Sequence, residues 1–269
     1  KRQMYSCEVL LSAAGDSFWG DLLEKEAFNC LPATTTPDMW AHQYVQMTNQ
    51  ISCSRIPEEG VPFNSNGGEA HMFGLEPNFG CCTANFNQAW PKFALSALMR
   101  SGEGLAVMSM VPVEAKVRRD GAEVDLQIVS EYPFRDEAVI EVTTDRPVTM
   151  ELLIRIPGFA KEAFVDGEKA DPESFYRIYR TWEGSARIPV RFVFDTMLAD
   201  RPFGAKAVVR GPLVFSLPVE AQCRILEYTR DGVERKAPYC DYEFTPVSDW
   251  NYGFCSESFE ISHGLIGDY

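Results

Sequence analysis

The sequence predicts an α+β molecule in which the end of an all-helical region is followed by an antiparallel β-sandwich. Two observations carry this. Up to about residue 103 apolar residues recur at helical spacing, and beyond it the period drops to two. The second half is also cut by turn signals at short intervals, among them Asp166-Gly167, the pair that favours a tight hairpin. The expected division is residues 1–103, the end of a helical domain, and residues 104–269, a sandwich region.

The elements follow in order. Met4–Ala14 carries apolar residues on one helical face and stops at Gly15-Asp16. Phe18–Leu31 repeats the pattern with Trp19, Leu22, Leu23, Ala27 and Phe28, and ends before Pro32. Residues 39–51 are polar and aromatic without a clear period, and 53–79 form a Gly- and Pro-rich connection. Connections that long in a compact domain are functional or disordered, and this one leads to two adjacent thiols. A helix is expected over Cys82–Arg100, kinked near Pro91 and ended by Ser101-Gly102-Glu103-Gly104. Strands are expected over Leu105–Val113, Glu123–Ser130, Ala138–Thr143, Thr149–Ile156, Arg187–Phe194 and Ala205–Val209.

The bulk numbers exclude several classes. Of 269 residues, 45% are hydrophobic and 24% charged, a globular composition. No run approaches the roughly 20 apolar residues that span a bilayer. With 39 acidic against 25 basic residues the net charge is −14, which argues against nucleic acid or an anionic membrane as partner. The eight cysteines form no CxxC pairs and no dense disulfide framework, which favours a reducing, cytoplasmic setting. The chain opens on Lys1 inside a helical pattern, as a piece of a longer protein would, and any export signal would precede it.

Cys81-Cys82 is the most informative feature. The pair opens the helix that starts near residue 81, where unpaired backbone N–H groups and the helix dipole favour thiolate over thiol. Adjacent cysteines rarely bridge each other, because the small ring strains the intervening peptide. Two thiols presented together suggest a soft metal, a nucleophile or both; two ordinary buried cysteines are the plain alternative.

Around this pair stand the blocks Ala27-Phe28-Asn29-Cys30-Leu31-Pro32-Ala33, His42-Gln43-Tyr44 with Asn49-Gln50, Gly74-Leu75-Glu76-Pro77, and Gly80-Cys81-Cys82-Thr83-Ala84-Asn85. Gln88-Ala89-Trp90-Pro91-Lys92-Phe93, Leu153-Ile154-Arg155-Ile156-Pro157-Gly158-Phe159, Arg210-Gly211-Pro212-Leu213-Val214 and Asp249-Trp250-Asn251-Tyr252 follow them. In these blocks and their order the sequence resembles glycoside hydrolase family 127. The resemblance implies the end of an (α/α)6 barrel followed by β-sandwich domains, and a retaining β-L-arabinofuranosidase that uses a zinc-bound cysteine. Carried over residue by residue, Cys81 is nucleophile and zinc ligand, and Cys82 is a ligand only. The family's remaining ligands, a Glu-x-Cys motif, and its general-acid glutamate align upstream of Lys1. The chain is then a partial copy that gives little or no hydrolysis alone.

A thiolate can replace the usual carboxylate nucleophile if zinc makes its sulfur a good leaving group, and three sulfurs with one carboxylate suit tetrahedral zinc. The resemblance also implies Tyr44 as a sugar contact, and His42 joins it as a substrate-binding candidate; Tyr44 is equally readable as a packed residue at a domain edge, and a lone His such as His42 is more often a satisfied structural residue. His71 and Glu76 are further candidates near the thiols, Asn85 a residue that steadies the helix start. Trp90, Phe93 and Leu98 read as core, and Trp182 and Trp250 as core or sugar platforms. Expected partners are L-arabinofuranose-containing glycans or glycosides, with a homo-oligomer left open. The rival readings are a non-catalytic carbohydrate-binding or assembly module, and a redox or structural zinc protein.

Overall fold

The computed structural model describes residues 2–56, 66–75 and 80–264. Helix α1 (Arg2–Ala14) turns its Met4, Cys7 and Leu11 inward at helical spacing. It ends where Gly15 takes a positive φ of 63° and its N–H closes on the Leu11 carbonyl at 2.9 Å. Asp16 then caps α2 (Ser17–Lys25) by accepting from the Phe18 N–H at 3.0 Å. The expected second helix continues only as a π turn over Glu26–Cys30 and a short 3-10 turn over Pro32–Thr34. Two-residue strand β1 (Phe73–Gly74) precedes α3 (Gly80–Phe86) and α4 (Ala89–Ser96). Met4, Cys7, Leu23, Ala27, Leu31, Ala89 and Phe93 make one apolar cluster under these helices.

The single helix expected over Cys82–Arg100 is therefore two helices, and it stops short. Pro91 lies in the first turn of α4, where its missing N–H costs no intrahelical bond, so it belongs to a new start and not to a kink. The stretch beyond is β2 (Leu98–Ser101), which turns back through Gly102-Glu103 to pair with β3 (Gly104–Val107).

Strands β4 (Val113–Arg119) and β5 (Ala122–Ser130) form a hairpin, and two strands of 20 residues, β6 (Glu137–Ile156) and β9 (Ser174–Val193), run through the whole sheet. Between them β7 (Glu162–Val165) and β8 (Glu168–Ala170) form the hairpin that Asp166-Gly167 predicts, with φ of 52° and 84° at those residues. The strands expected at 138–143 and 149–156 are one strand. The β6–β9 register is interrupted only between Thr144 and Val148. The outer half of β6 pairs with β5, and its inner half pairs with β3 in parallel, the departure from an all-antiparallel sheet. This arrangement curls the sheet. Alternate residues from both halves, such as Val124, Leu126, Ile140, Val142, Met150, Leu152, Ile154, Ile188 and Val190, fill a single core. Trp182 is buried there with its indole N–H on the Met150 carbonyl at 3.1 Å, a structural residue and not a sugar platform.

Smaller sheets follow. Strands β10 (Thr196–Asp200), β11 (Lys206–Arg210) and β12 (Leu213–Val214) form one of them. Strand β13 (Ala221–Leu226) and, after the small hairpin of β14 (Tyr228–Arg230) and β15 (Val233–Arg235), β16 (Asp241–Pro246) form another, in the order β1-β16-β13. The molecule is mostly sheet with few helices. No helix among the described residues is long and apolar enough to cross a membrane.

Candidate functional site

The two thiols sit at the start of α3, a helix with no buried residue. Cys81 is exposed, Cys82 is half-buried, and their sulfurs lie 4.0 Å apart. Seven residues are barely two turns, so the dipole contribution is smaller than a long helix would give. Local hydrogen bonds hold the segment. The Asn85 amide donates to the Cys81 carbonyl at 2.7 Å, and the Thr83 hydroxyl donates to the Leu75 carbonyl. Asn85 in turn accepts from Gln88, and Gln88 from Lys92, both at 3.2 Å, while the Lys92 ammonium lies 4.3 Å from the centre of the Tyr5 ring on α1.

Leu75 follows β1, which leads from the thiols to the other candidates. Gly74 exchanges backbone hydrogen bonds with His42 at 2.9 and 3.0 Å, and pairs on its other side with Asp241 of β16. His42 is buried and serves as a strand partner, whereas Tyr44 is 38% exposed, with its N–H on the Ala70 carbonyl at 3.2 Å. His71 is 1% exposed. The Gln50 amide nitrogen reaches His71 Nδ1 at 3.2 Å, Gln43 Oε1 at 3.1 Å and Cys53 Sγ at 3.5 Å. Burial holds the His71 imidazole below its ordinary pKa and pushes the Cys53 thiol up to about 11. Cys53 is thus no ready nucleophile. Glu76 lies outside the described residues.

Two cysteine ligands at 2.3 Å from a tetrahedral ion stand roughly 3.8 Å apart, so the Cys81–Cys82 spacing matches one edge of such a shell. Among the described residues no group of three or more His, Cys, Asp and Glu could hold a metal. The pair fits half a zinc site and does not complete one.

Sequence reasoning missed a second charged cluster. Arg155 of β6 is 3% exposed, and its guanidinium reaches Asp21 at 2.5 Å, Glu24 at 2.6 Å and the Met108 carbonyl at 2.5 Å. Ser109 and Tyr132 donate to Glu24 at 2.6 and 2.9 Å, and the Gly158 N–H donates to Asp21 at 2.9 Å. Burial works against the Arg155 charge, but Glu24 and Asp21 more than offset it and hold the guanidinium above its usual range. These groups fasten α2 to the sheet. The signal was an arginine alternating with Ile154 and Ile156 inside an apolar strand.

Comparisons with known proteins bear on this arrangement. Residues 104–194 match the family described as beta-L-arabinofuranosidase, GH127 middle domain. Search of the curated proteins gives no match. Three solved structures share the fold over 91% of the chain. One, a glycoside hydrolase, is 15% identical with a TM-score of 0.62. A GH127 beta-L-arabinofuranosidase from Geobacillus stearothermophilus T6 is 17% identical with a TM-score of 0.60. A GH127 beta-arabinofuranosidase is 16% identical with a TM-score of 0.60. The chain spans 48%, 46% and 45% of their respective lengths, about half of each. The resemblance to glycoside hydrolase family 127 thus holds in the sheet by sequence and across most of the chain by fold.

Proposed function

We propose that the protein is a retaining glycoside hydrolase of β-L-arabinofuranosides with Cys81 as nucleophile. The observation that carries this reading is the exposed sulfur pair of Cys81 and Cys82, 4.0 Å apart, beside a fold shared with GH127 enzymes. In this reading α1–α4 are the end of an (α/α)6 barrel. The general acid and two further zinc ligands come from chain outside these 269 residues, consistent with a chain that spans about half of its structural relatives.

The chemistry assigned to this chain is specific. The Cys81 thiolate attacks the anomeric carbon; a C–S bond forms as the C–O bond to the aglycone breaks, and the departing oxygen takes its proton from the acid. Water then displaces the sulfur from the opposite side, giving its proton to the now deprotonated acid as the C–S bond breaks back to thiolate, so configuration is retained. Cys81 and Cys82 would hold zinc, which supplies stabilisation of thiolate charge. Asn85 and Thr83 fix the backbone that aims Cys81, while exposed Tyr44 offers a ring and hydroxyl to the sugar, with His42 placing that strand.

The test is hydrolysis of an aryl β-L-arabinofuranoside by the complete protein and by its Cys81→Ser variant. The variant is expected to lose activity on the order of 10³-fold or more, and Cys82→Ser to lower bound zinc measured by metal analysis. Equal turnover in wild type and Cys81→Ser would remove Cys81 as nucleophile.

A further inference from the structure

A cavity lined by neither thiol lies on the face of the β1-β16-β13 sheet that carries Asp241 and Glu243. Its volume is about 780 Å³, within the range of pockets that bury small organic ligands. Both carboxylates lie on its floor, under a tenth exposed, two residues apart on β16 and therefore on one face. Glu243 accepts from the Arg55 backbone N–H and from Arg224 Nε, each at 2.9 Å. Glu69 stands 3.6 Å from Arg230 and 3.8 Å from Arg55, and the Arg230 guanidinium lies 5.3 Å from the centre of the Tyr228 ring. Met72 and Leu226 give the same cavity an apolar strip.

This pattern selects a ligand class. Arg55, Arg224 and Arg230 stand against Glu69, Glu227, Asp241 and Glu243, so the groove has no field to concentrate an anion, and the chain as a whole is at −14. Among the described residues no acidic cluster closes round a cation. Fixed donors beside fixed acceptors match the vicinal hydroxyls of a sugar, each of which donates and accepts, and the apolar strip matches its C–H face. We propose that this groove is a second carbohydrate subsite, built to hold a neutral pentose-containing oligosaccharide apart from Cys81 and Cys82. The choice of pentose rests on the proposed function; the choice of a neutral polyhydroxylated ligand rests on the groove.

The experiment is titration of the protein with a β-L-arabinofuranosyl disaccharide, followed by calorimetry and by backbone NMR, with maltose as control. Wild type is expected to bind saturably, with shift changes centred on β13 and β16. Arg224→Ala/Arg230→Ala, which removes two guanidiniums lining the groove, is expected to weaken binding about tenfold or more. Shift changes in wild type confined to the α3 segment would overturn the subsite, as would unaltered affinity in the folded double variant or no saturable binding. Equal affinity for maltose would overturn the pentose assignment. Absence of arabinofuranoside hydrolysis by the complete protein with groove binding intact would sink the proposed function and leave the subsite standing.

Discussion

At Asp21 two carboxylates share one guanidinium, and the surplus negative charge has no solvent to spread into. Burial, partly countered by Arg155 and reinforced by Glu24, pushes the Asp21 carboxyl up to about 6. Unfolded, the same group releases its proton near 3.8. A carboxyl that holds its proton more tightly in the folded chain stabilises the fold below about pH 3.8, and that contribution fades as pH rises through 6. Its size is on the order of 3 kcal/mol. Denaturant unfolding of Asp21→Asn, followed from pH 4 to 7, is expected to show lower stability overall but a flatter dependence on pH than wild type. Parallel slopes for the two proteins would contradict this titration. The close approach of α2 to Arg155 is equally specific at Gly20, where a Cβ would stand 2.6 Å from the arginine's Cδ.

Among the elements, β3 is the least tolerant of change. A Cβ at Gly104 would lie 1.8 Å from the Glu151 carbonyl oxygen of β6, whereas at Gly102, two residues earlier in the turn, it meets nothing within 4 Å. Gly104→Ala is therefore expected to cost about 1–3 kcal/mol or more by forcing the parallel pair apart, and Gly102→Ala to be near neutral; urea unfolding midpoints decide it. Such strand contacts show why element boundaries were only partly legible in the sequence. Period-two patterning at 123–130 and 149–156 and the Asp166-Gly167 turn were readable because each is local. Residues 98–100 read as helix because their strand identity comes from pairing with 105–107. Of the candidate site, the adjacent thiols and Asn85 were visible in sequence. The Gln50–His71–Cys53 contacts and the Arg155 cluster were not, since their partners meet only through the fold.

For the whole molecule, the controlling feature is the ladder of β6 and β9, which joins the sheet's two halves across one core. Its inner rungs, from Ile156–Ser174 to Val148–Trp182, close a short loop; its outer rungs, out to Glu137–Arg191, enclose far more chain. Loop-closure entropy rises with the chain enclosed, so the ladder zips outward from the inner end, and the break after Thr144 is a natural pause. In pulse-labelled hydrogen exchange during refolding, amides of 174–182 on β9 are expected to gain protection before those of 184–188, which pair with β6 alone, while simultaneous protection would refute the order. The pause has a cost for the nascent molecule. Until the outer rungs close, the outer half of β6 keeps an unpaired edge even when its other edge is joined to β5, so a half-zipped chain is the species most prone to pair with a neighbour during synthesis.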